Sequence, residues 1–485
     1  MRANLTLLKA QANISHITAD SRQVQVGSLF VAYKGDVTDG RAYIPQAIAN
    51  GASAVMWEQE GFVWNDDWQL PNQSVAGLKQ EVGEVASEFY GKPSEQLWMV
   101  GVTGTNGKTT CSHWLAQAFT ALGRQTAVVG TLGNGLLTSL CKTSNTTPDA
   151  IVLHGLIAKY LLQKTQVIAM EVSSHGLDQG RVNGVDFDVA VFTNLTRDHL
   201  DYHGDMQAYG DAKKKLFTWD GLKVAVINRD DAFGAKLAAE LSAQGKSIMT
   251  YGLNKDFVGK NDIAVSSMQL TDAGMYLDVV TPMGRASINA SVIGQFNAYN
   301  LLAVLATLLV SDVALVDAVK ALTTINPVTG RMQQCGGGNQ PLIVVDYAHT
   351  PDAIEQVLKS LSGQVKENAE LICVFGCGGD RDQGKRPLMG KVASSLASRV
   401  IVTSDNPRSE LPASIIESVM AGAGHKAISI ENRADAIKQA IKTAKKGDVV
   451  VIAGKGHEDY QEIAGVKYPF SDMQVAKEAL QEMAA

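Results

Sequence analysis

The stretch that most restricts how this chain can fold is residues 101–110, GVTGTNGKTT. The apolar run 97–100 before it reads as a buried strand, and residues 111–122 after it carry apolar side chains at helical spacing. A strand, a glycine-rich turn and a helix bring free backbone N–H groups and the positive helix end to one point, which makes an anion cradle. Lys108 adds a point charge suited to β- and γ-phosphates, and the Thr109 hydroxyl is placed to reach Mg2+. The pattern is a variant of G-x-x-x-x-G-K-[ST], because Val102 stands where the first glycine belongs. The working premise is ATP.

At 485 residues the chain exceeds one core, and ordinary domain sizes suggest roughly three. A 45% hydrophobic and 19% charged composition is that of a globular protein. The formal charge of −6 gives no basic footprint for nucleic acid, so bound phosphate must meet local positive charge. The five cysteines are odd in number, and Cys373 and Cys377 lack a second pair to complete a zinc site. They read as reduced thiols. The run 5–8 is too short for a signal-peptide core, and the longest apolar stretch, 301–310, is about half a membrane span. A cytoplasmic location is expected, with no membrane partner.

Residues 1–96 read as a small α/β module with strands at 28–32 and 52–56 and a helix at 44–50. From 97 to 328, strands at 97–102, 126–130, 167–172, 189–193 and 224–228 alternate with helices. That predicts a doubly wound, mainly parallel sheet with its loops at the carboxyl ends of the strands. Turns at 272–274 and 282–284 add β-hairpins, and a helix opens near residue 294 with Asn297 and Asn300 on one face. A PVTG turn at 327–330 marks the start of a C-terminal Rossmann-like α/β domain, 329–485. Its strands at 342–345, 371–375, 400–403 and 449–453 each end in a polar loop. Four such loops at four carboxyl ends form one rim.

A phosphate loop and a second α/β domain with a charged rim imply that ATP reacts with something held by the rest of the chain. Arg181, Arg331, Arg381 and Arg408 are suited to carboxylates. A carboxylate is a poor electrophile, so amide formation needs γ-phosphoryl transfer to give an acyl phosphate that an amine can attack. Spacing alone leaves a kinase that stops at phosphoryl transfer, or a P-loop ATPase, equally open.

Taken together, segments 104–110, 171–175 (EVSSH), 193–199 (TNLTRDH), 209–213 (YGDAK), 346–351 (DYAHTP) and 405–408 (DNPR) closely resemble the Mur ligases, across all three thirds of the chain. The resemblance is closest to the branch that adds meso-2,6-diaminopimelate to the D-glutamate carboxylate of UDP-N-acetylmuramoyl-L-alanyl-D-glutamate, in peptidoglycan synthesis. It implies a monomer using ATP and Mg2+, with segments 1–96, 97–328 and 329–485 binding the uridine nucleotide, ATP and the amino acid. It also implies ATP contacts from Gly104, Thr105, Asn106, Gly107, Lys108, Thr109 and Thr110, joined by Asn297, Asn300, Arg331 and Asp346. Ala19, Ser21, Asp36, Val37 and Thr38 would hold the uridine diphosphate. Asn145, Thr146, Thr147, Ser173, Gln179 and Arg181 would hold the muramoyl-dipeptide. Lys108, Glu171, His199 and Lys213 would be catalytic, with Thr109, Glu171, His199 and a carbamylated Lys213 as metal ligands; Lys214 and Lys215 read as a solvated helix face. Arg381, Asp405, Asn406, Pro407, Arg408, Gly454 and Glu458 would form the diaminopimelate site. Arg408 suits its distal carboxylate and Glu458 its distal amine; lysine, lacking that carboxylate, would leave a buried charge unpaired at a cost of a few kcal/mol. The competing family members add lysine or polyglutamylate folates.

Overall fold

In the computed structural model the described residues are 3–35, 38–143, 145–254, 259–271, 274–363, 365 and 368–484. The chain divides into two compact units. The first comprises Met1–Thr103, Gly123–Val191 and Ala212–Ala225; the second comprises Gly104–Leu122, Phe192–Asp211 and Val226–Ala485.

The first unit opens with a four-stranded parallel sheet in the order His16–Thr18, Ser28–Ala32, Ala52–Glu58, Asn72–Val75. Helix Ile44–Ala49 matches the expected one; helices Leu5–Gln11 and Leu78–Phe89 are additional. Asn4 caps the first of these by accepting from the Leu7 N–H, so the short apolar run near the N-terminus is one helix face, with Leu5 and Leu8 buried. The unit's second set of strands runs Trp98–Thr103, Val167–Glu171, Thr126–Gly130, Gly133–Leu136, parallel except for the last. The register Val102↔Glu171 and Val129↔Met170 aligns three carboxyl ends, so Glu171 and Thr131 come together.

In the second unit, Ile248–Gly252 pairs in parallel with Asp262–Thr271, which begins an antiparallel meander through Gly274–Thr281 and Gly284–Ala290. The appended hairpins are therefore three strands starting earlier than the pattern indicates; the turn residues Asp272 and Ala273 lie outside the described residues. The C-terminal sheet has the order Gln333–Gly336, Leu342–Asp346, Val449–Ala453, Leu371–Phe375, Arg399–Val402, Ala427–Ser429, parallel except at its first strand. Its apolar strands alternate between two cores. Val344, Cys373, Phe375 and Val451 face one; Ile343, Val345, Ile372, Val374 and Ile452 face the other. Burial on both faces is why these strands read as continuous apolar runs, each large side chain contributing about 1.5–3 kcal/mol. The four polar loops follow the carboxyl ends of four parallel strands, which places them on one edge of this sheet.

Candidate functional site

Gly107, at φ +89°, precedes helix Lys108–Ala121, and Gly104 has φ +148°. Both are conformations that side-chain-bearing residues rarely adopt. A Cβ on Gly104 would run into Thr193 Oγ1, and one on Gly107 into Asn300 Oδ1 at 2.6 Å. The helix leaves its first-turn N–H groups without intrahelical partners, which is the physical basis of the cradle. Lys108 Nζ folds back onto the carbonyls of Gly104 (2.8 Å) and Thr105 (2.9 Å).

The loop after Phe192 straps this turn in place. Thr105 N donates to Asn194 O (2.8 Å), Asn106 N to Asn194 Oδ1 (2.9 Å), and Thr193 Oγ1 to Asn106 O (2.6 Å). Thr105 Oγ1 also meets Tyr209 Oη at 3.2 Å. Asn300 Nδ2 donates to Asn297 Oδ1 (2.9 Å), and Asn297 Nδ2 to Ile293 O (2.7 Å). The two expected amides therefore meet, with Asn300 against the glycine turn. Arg331 reaches the cradle by donating from NH2 to Thr109 Oγ1 (3.0 Å), its guanidinium over the Tyr347 ring at 4.6 Å. Asp346 spends its carboxylate on the N–H groups of Met332 and Ala348, both at 2.8 Å. Burial raises its pKa despite Arg331 nearby.

A second cluster centres on Asp198, which the sequence reading gave no role. Lys385 Nζ (3.3 Å), His199 Nε2 (3.4 Å) and His349 Nε2 (3.5 Å) surround it. Burial works to raise its pKa, but Lys385, the hydrogen bond from His349 and the charge of His199 win and hold it well below the usual carboxylate range. His199 itself is at φ +54° and has its ring on Asp198.

On the C-terminal rim, Asp405 and Asn406 are buried. Asn406 Nδ2 donates to Glu458 Oε2 (2.8 Å), while its Oδ1 accepts from Lys455 Nζ (2.9 Å) and Glu462 N (2.9 Å). Gly454, at φ +114°, lies where a Cβ would sit 2.6 Å from Asp405 Oδ2. Arg408, at φ +50°, donates from NH1 to Gly379 O (2.7 Å), with Nε 3.5 Å from Glu462 Oε2. Pro407 N-terminal to it continues the same loop, and Arg381, exposed, donates to Asp380 O (2.8 Å).

In the first unit, Glu171 is buried and accepts from Thr131 N (2.7 Å) and Thr131 Oγ1 (3.1 Å). Thr146 Oγ1 lies 3.0 Å from the same Thr131 hydroxyl. Thr147 Oγ1 donates to Glu171 O (2.9 Å), Ser173 N donates to Thr147 Oγ1 (3.0 Å), and Arg181 NH1 donates to Thr147 O (2.9 Å). Four expected dipeptide contacts thus converge on the end of strand Val167–Glu171. Gln179 follows helix Ser174–Asp178 as its cap, and Asn145 is exposed. Ser21, buried, donates to Gln46 Oε1 (2.8 Å); Ala19 is half-buried, and Thr38 O accepts from Gly35 N (2.9 Å). Asp36 and Val37 lie outside the described residues. Lys213 is buried at 1% exposure, Lys214 is half-buried and Lys215 exposed, so only the end of the lysine run is a solvated face.

For Mg2+, the oxygen donors of Thr109 and Glu171 suit a hard cation, and Lys213 suits one only as a carbamate, because an ammonium repels it. Among the described residues no three His, Cys, Asp or Glu side chains are grouped to hold a metal. Asp198, Lys385, Thr131, Asn194 and Lys455 are the participants sequence reading missed. Asp198 and Asn194 lie inside the quoted 193–199 segment, the one signal that pointed to them.

Family models match along the chain: "Mur ligase family, catalytic domain" over residues 13–90, "Mur ligase middle domain" over 102–308, and "Mur ligase, glutamate ligase domain" over 330–456. A UDP-N-acetylmuramoyl-L-alanyl-D-glutamate--2,6-diaminopimelate ligase of Chromobacterium violaceum is 52% identical over 469 residues, 96% of this chain and 94% of that protein. One of Nitrosomonas europaea, of the same name, is 50% identical over 495 residues, 99% of this chain and 95% of that protein. A solved structure with that name superposes with a TM-score of 0.69 at 39% identity, covering 97% of this chain and 96% of the other. The chain belongs to the Mur ligase family.

Proposed function

We propose that this Mur ligase joins meso-2,6-diaminopimelate to the D-glutamate carboxylate of UDP-N-acetylmuramoyl-L-alanyl-D-glutamate, with ATP driving the reaction, in cytoplasmic peptidoglycan precursor synthesis. Relatives of that name at 50–52% identity over nearly the whole chain support it. Segments 1–96, 97–328 and 329–485 are assigned to the uridine nucleotide, ATP and the amino acid, and the working form is a monomer.

Residues 104–110 cradle the phosphates, with Lys108 as the β/γ point charge and Asn297, Asn300, Arg331 and Asp346 completing the nucleotide site. The γ-phosphoryl group passes to the D-glutamate carboxylate, giving an acyl phosphate; attack by the diaminopimelate amine forms the amide and releases phosphate. Thr109, Glu171, His199 and a carbamylated Lys213 are the residues that would hold Mg2+, which would supply charge neutralisation when bound. Ala19, Ser21, Asp36, Val37 and Thr38 bind the uridine end, and residues 145–147 with Ser173, Gln179 and Arg181 bind the muramoyl-dipeptide.

The observation that carries the amino-acid assignment is the rim, where a guanidinium (Arg408) and a carboxylate (Glu458) come from loops joined through Asn406. A diamino-dicarboxylate needs both at its distal end; lysine needs only the second. The test is turnover of the purified protein with diaminopimelate and L-lysine side by side. Diaminopimelate is expected to be favoured at least about 10-fold in kcat/KM, the scale of one charge-assisted hydrogen bond to Arg408, which is half-buried and keeps Gly379 O and Glu462 as partners when the ligand lacks a distal carboxylate; equal use of lysine would refute it.

A further inference from the structure

A line of buried charges runs beneath the amino-acid rim. Asp472 and Arg433 are almost wholly buried and bonded twice, both at 2.7 Å. Arg433 NH1 lies 3.9 Å from Asp405 Oδ2. Lys455, fully buried, donates from Nζ to Glu458 Oε2 (2.6 Å) and to Asn406 Oδ1 (2.9 Å). The order Asp472, Arg433, Asp405, Lys455, Glu458 alternates in sign and ends one negative charge in excess. Burial pushes the Asp405 pKa up, yet Lys455 and then Arg433 outweigh it and keep this carboxyl below its ordinary value, so both cations act on it.

The chain reaches this arrangement through its glycines. Lys455 stands between Gly454 (φ +114°) and Gly456 (φ +53°), and a Cβ on Gly456 would sit 2.8 Å from the Tyr347 Cβ. Two positive-φ glycines turn the lysine between them inward. Glu458 closes the line asymmetrically. Its Oε2 is taken by Lys455 and Asn406, whereas among the described residues its Oε1 has no hydrogen-bond partner.

We propose that Lys455 is a positioning residue that sets specificity for an ammonium group: it locks Glu458 through Oε2, leaving Oε1 and the line's excess negative charge for the distal amine of the incoming amino acid. This rests on the reading of Glu458 as part of the diaminopimelate site. Lys455 acts on Glu458 directly and through Asn406, which donates to the same Oε2, so its effect follows the ligand amine.

The test compares the full-length protein with its K455Q, E458Q and K455Q/E458Q variants, each checked by thermal melting. KM is measured for diaminopimelate, for ATP, and for 2-aminopimelate, which lacks the distal amine. KM for diaminopimelate is expected to rise about 10- to 100-fold in each single variant, the scale of one hydrogen-bonded charge, with kcat and the ATP KM within about threefold. KM for 2-aminopimelate should be the same in wild type and K455Q, and the double variant no worse than E458Q, because both changes remove one contact. A diaminopimelate KM unmoved in K455Q but raised in E458Q overturns the role of Lys455, as does an equal rise for 2-aminopimelate. A KM unmoved in E458Q overturns the reading of Glu458 and the proposal with it. If K455Q does not fold, the double variant decides: matching E458Q upholds the proposal, while a further rise, or failure to fold, makes Lys455 a folding residue and overturns it.

Discussion

Replacing Gly104 by alanine perturbs the cradle at a single atom. At φ +148° an alanine backbone is strained by about 1–3 kcal/mol. The added methyl group also meets Thr193 Oγ1 and comes within 3.1 Å of Asn194 N and O. Thr193 must then turn away, giving up its 2.6 Å hydrogen bond to Asn106 O, for a further loss of about 1 kcal/mol. The sum, about 2–4 kcal/mol, falls on the turn that presents its N–H groups to phosphate. Expressed in nucleotide affinity, it is an increase of roughly 30- to 1,000-fold in the KM for ATP. The assay is steady-state kinetics with ATP varied and both other substrates saturating, beside thermal melting. Gly61→Ala is the control for a positive-φ alanine without a clash: its φ is +67°, in the left-handed region that alanine enters at lower cost, and nothing lies within 4 Å of the new methyl. Its ATP KM should equal that of wild type. A folded Gly104→Ala protein with an ATP KM within about threefold of wild type would refute the cradle as the nucleotide site.

Arg408→Ala should raise the diaminopimelate KM about 10- to 100-fold and narrow the preference over lysine, read from the two kcat/KM values. Three histidines, His113 and His154 buried and His457 half-buried, are held neutral: His457 with its pKa lowered to about 3 by desolvation and Arg331, His113 to about 4 by burial and Arg331, and His154 to about 4 by burial. A depressed folded-state pKa means the stability is fully present above the unfolded value, about 6.5, and is lost as pH falls toward 4. Each histidine removes up to about 1.4 kcal/mol per pH unit in that window. Melting temperature should therefore fall between pH 7 and pH 5, and His154→Gln should flatten the slope; an unchanged slope would place His154 in water. Chelation of divalent cations should abolish turnover, with Mg2+ restoring it, and Lys213→Met should lower kcat at least about 100-fold with no rescue by added Mg2+. Full activity in the Lys213→Met protein would remove that residue from the chemistry.

The sequence made the C-terminal sheet legible because its central strands are buried on both faces, which leaves only apolar residues at 371–375 and 449–453. Its edge strands, Gln333–Gly336 and Ala427–Ser429, are short and partly exposed, and so carry no such run. The hairpin Tyr460–Ile463 with Val466–Pro469 was invisible for the same reason. Among site residues, the glycine turn and the polar strand ends announce themselves locally. Lys455 and Asp198 do not, because a lone lysine or aspartate looks solvated until the fold brings residues such as Glu458 or Lys385 against it. Asn297 and Asn300 were legible as one helix face, but their mutual hydrogen bond was not.

The most direct test of the central claim is phosphate release from ATP by the purified protein, with each of the other substrates omitted in turn. The account predicts release only when UDP-N-acetylmuramoyl-L-alanyl-D-glutamate and diaminopimelate are both present, with one tripeptide product formed per phosphate. Equal release with neither present would mark the chain as an ATPase and contradict it.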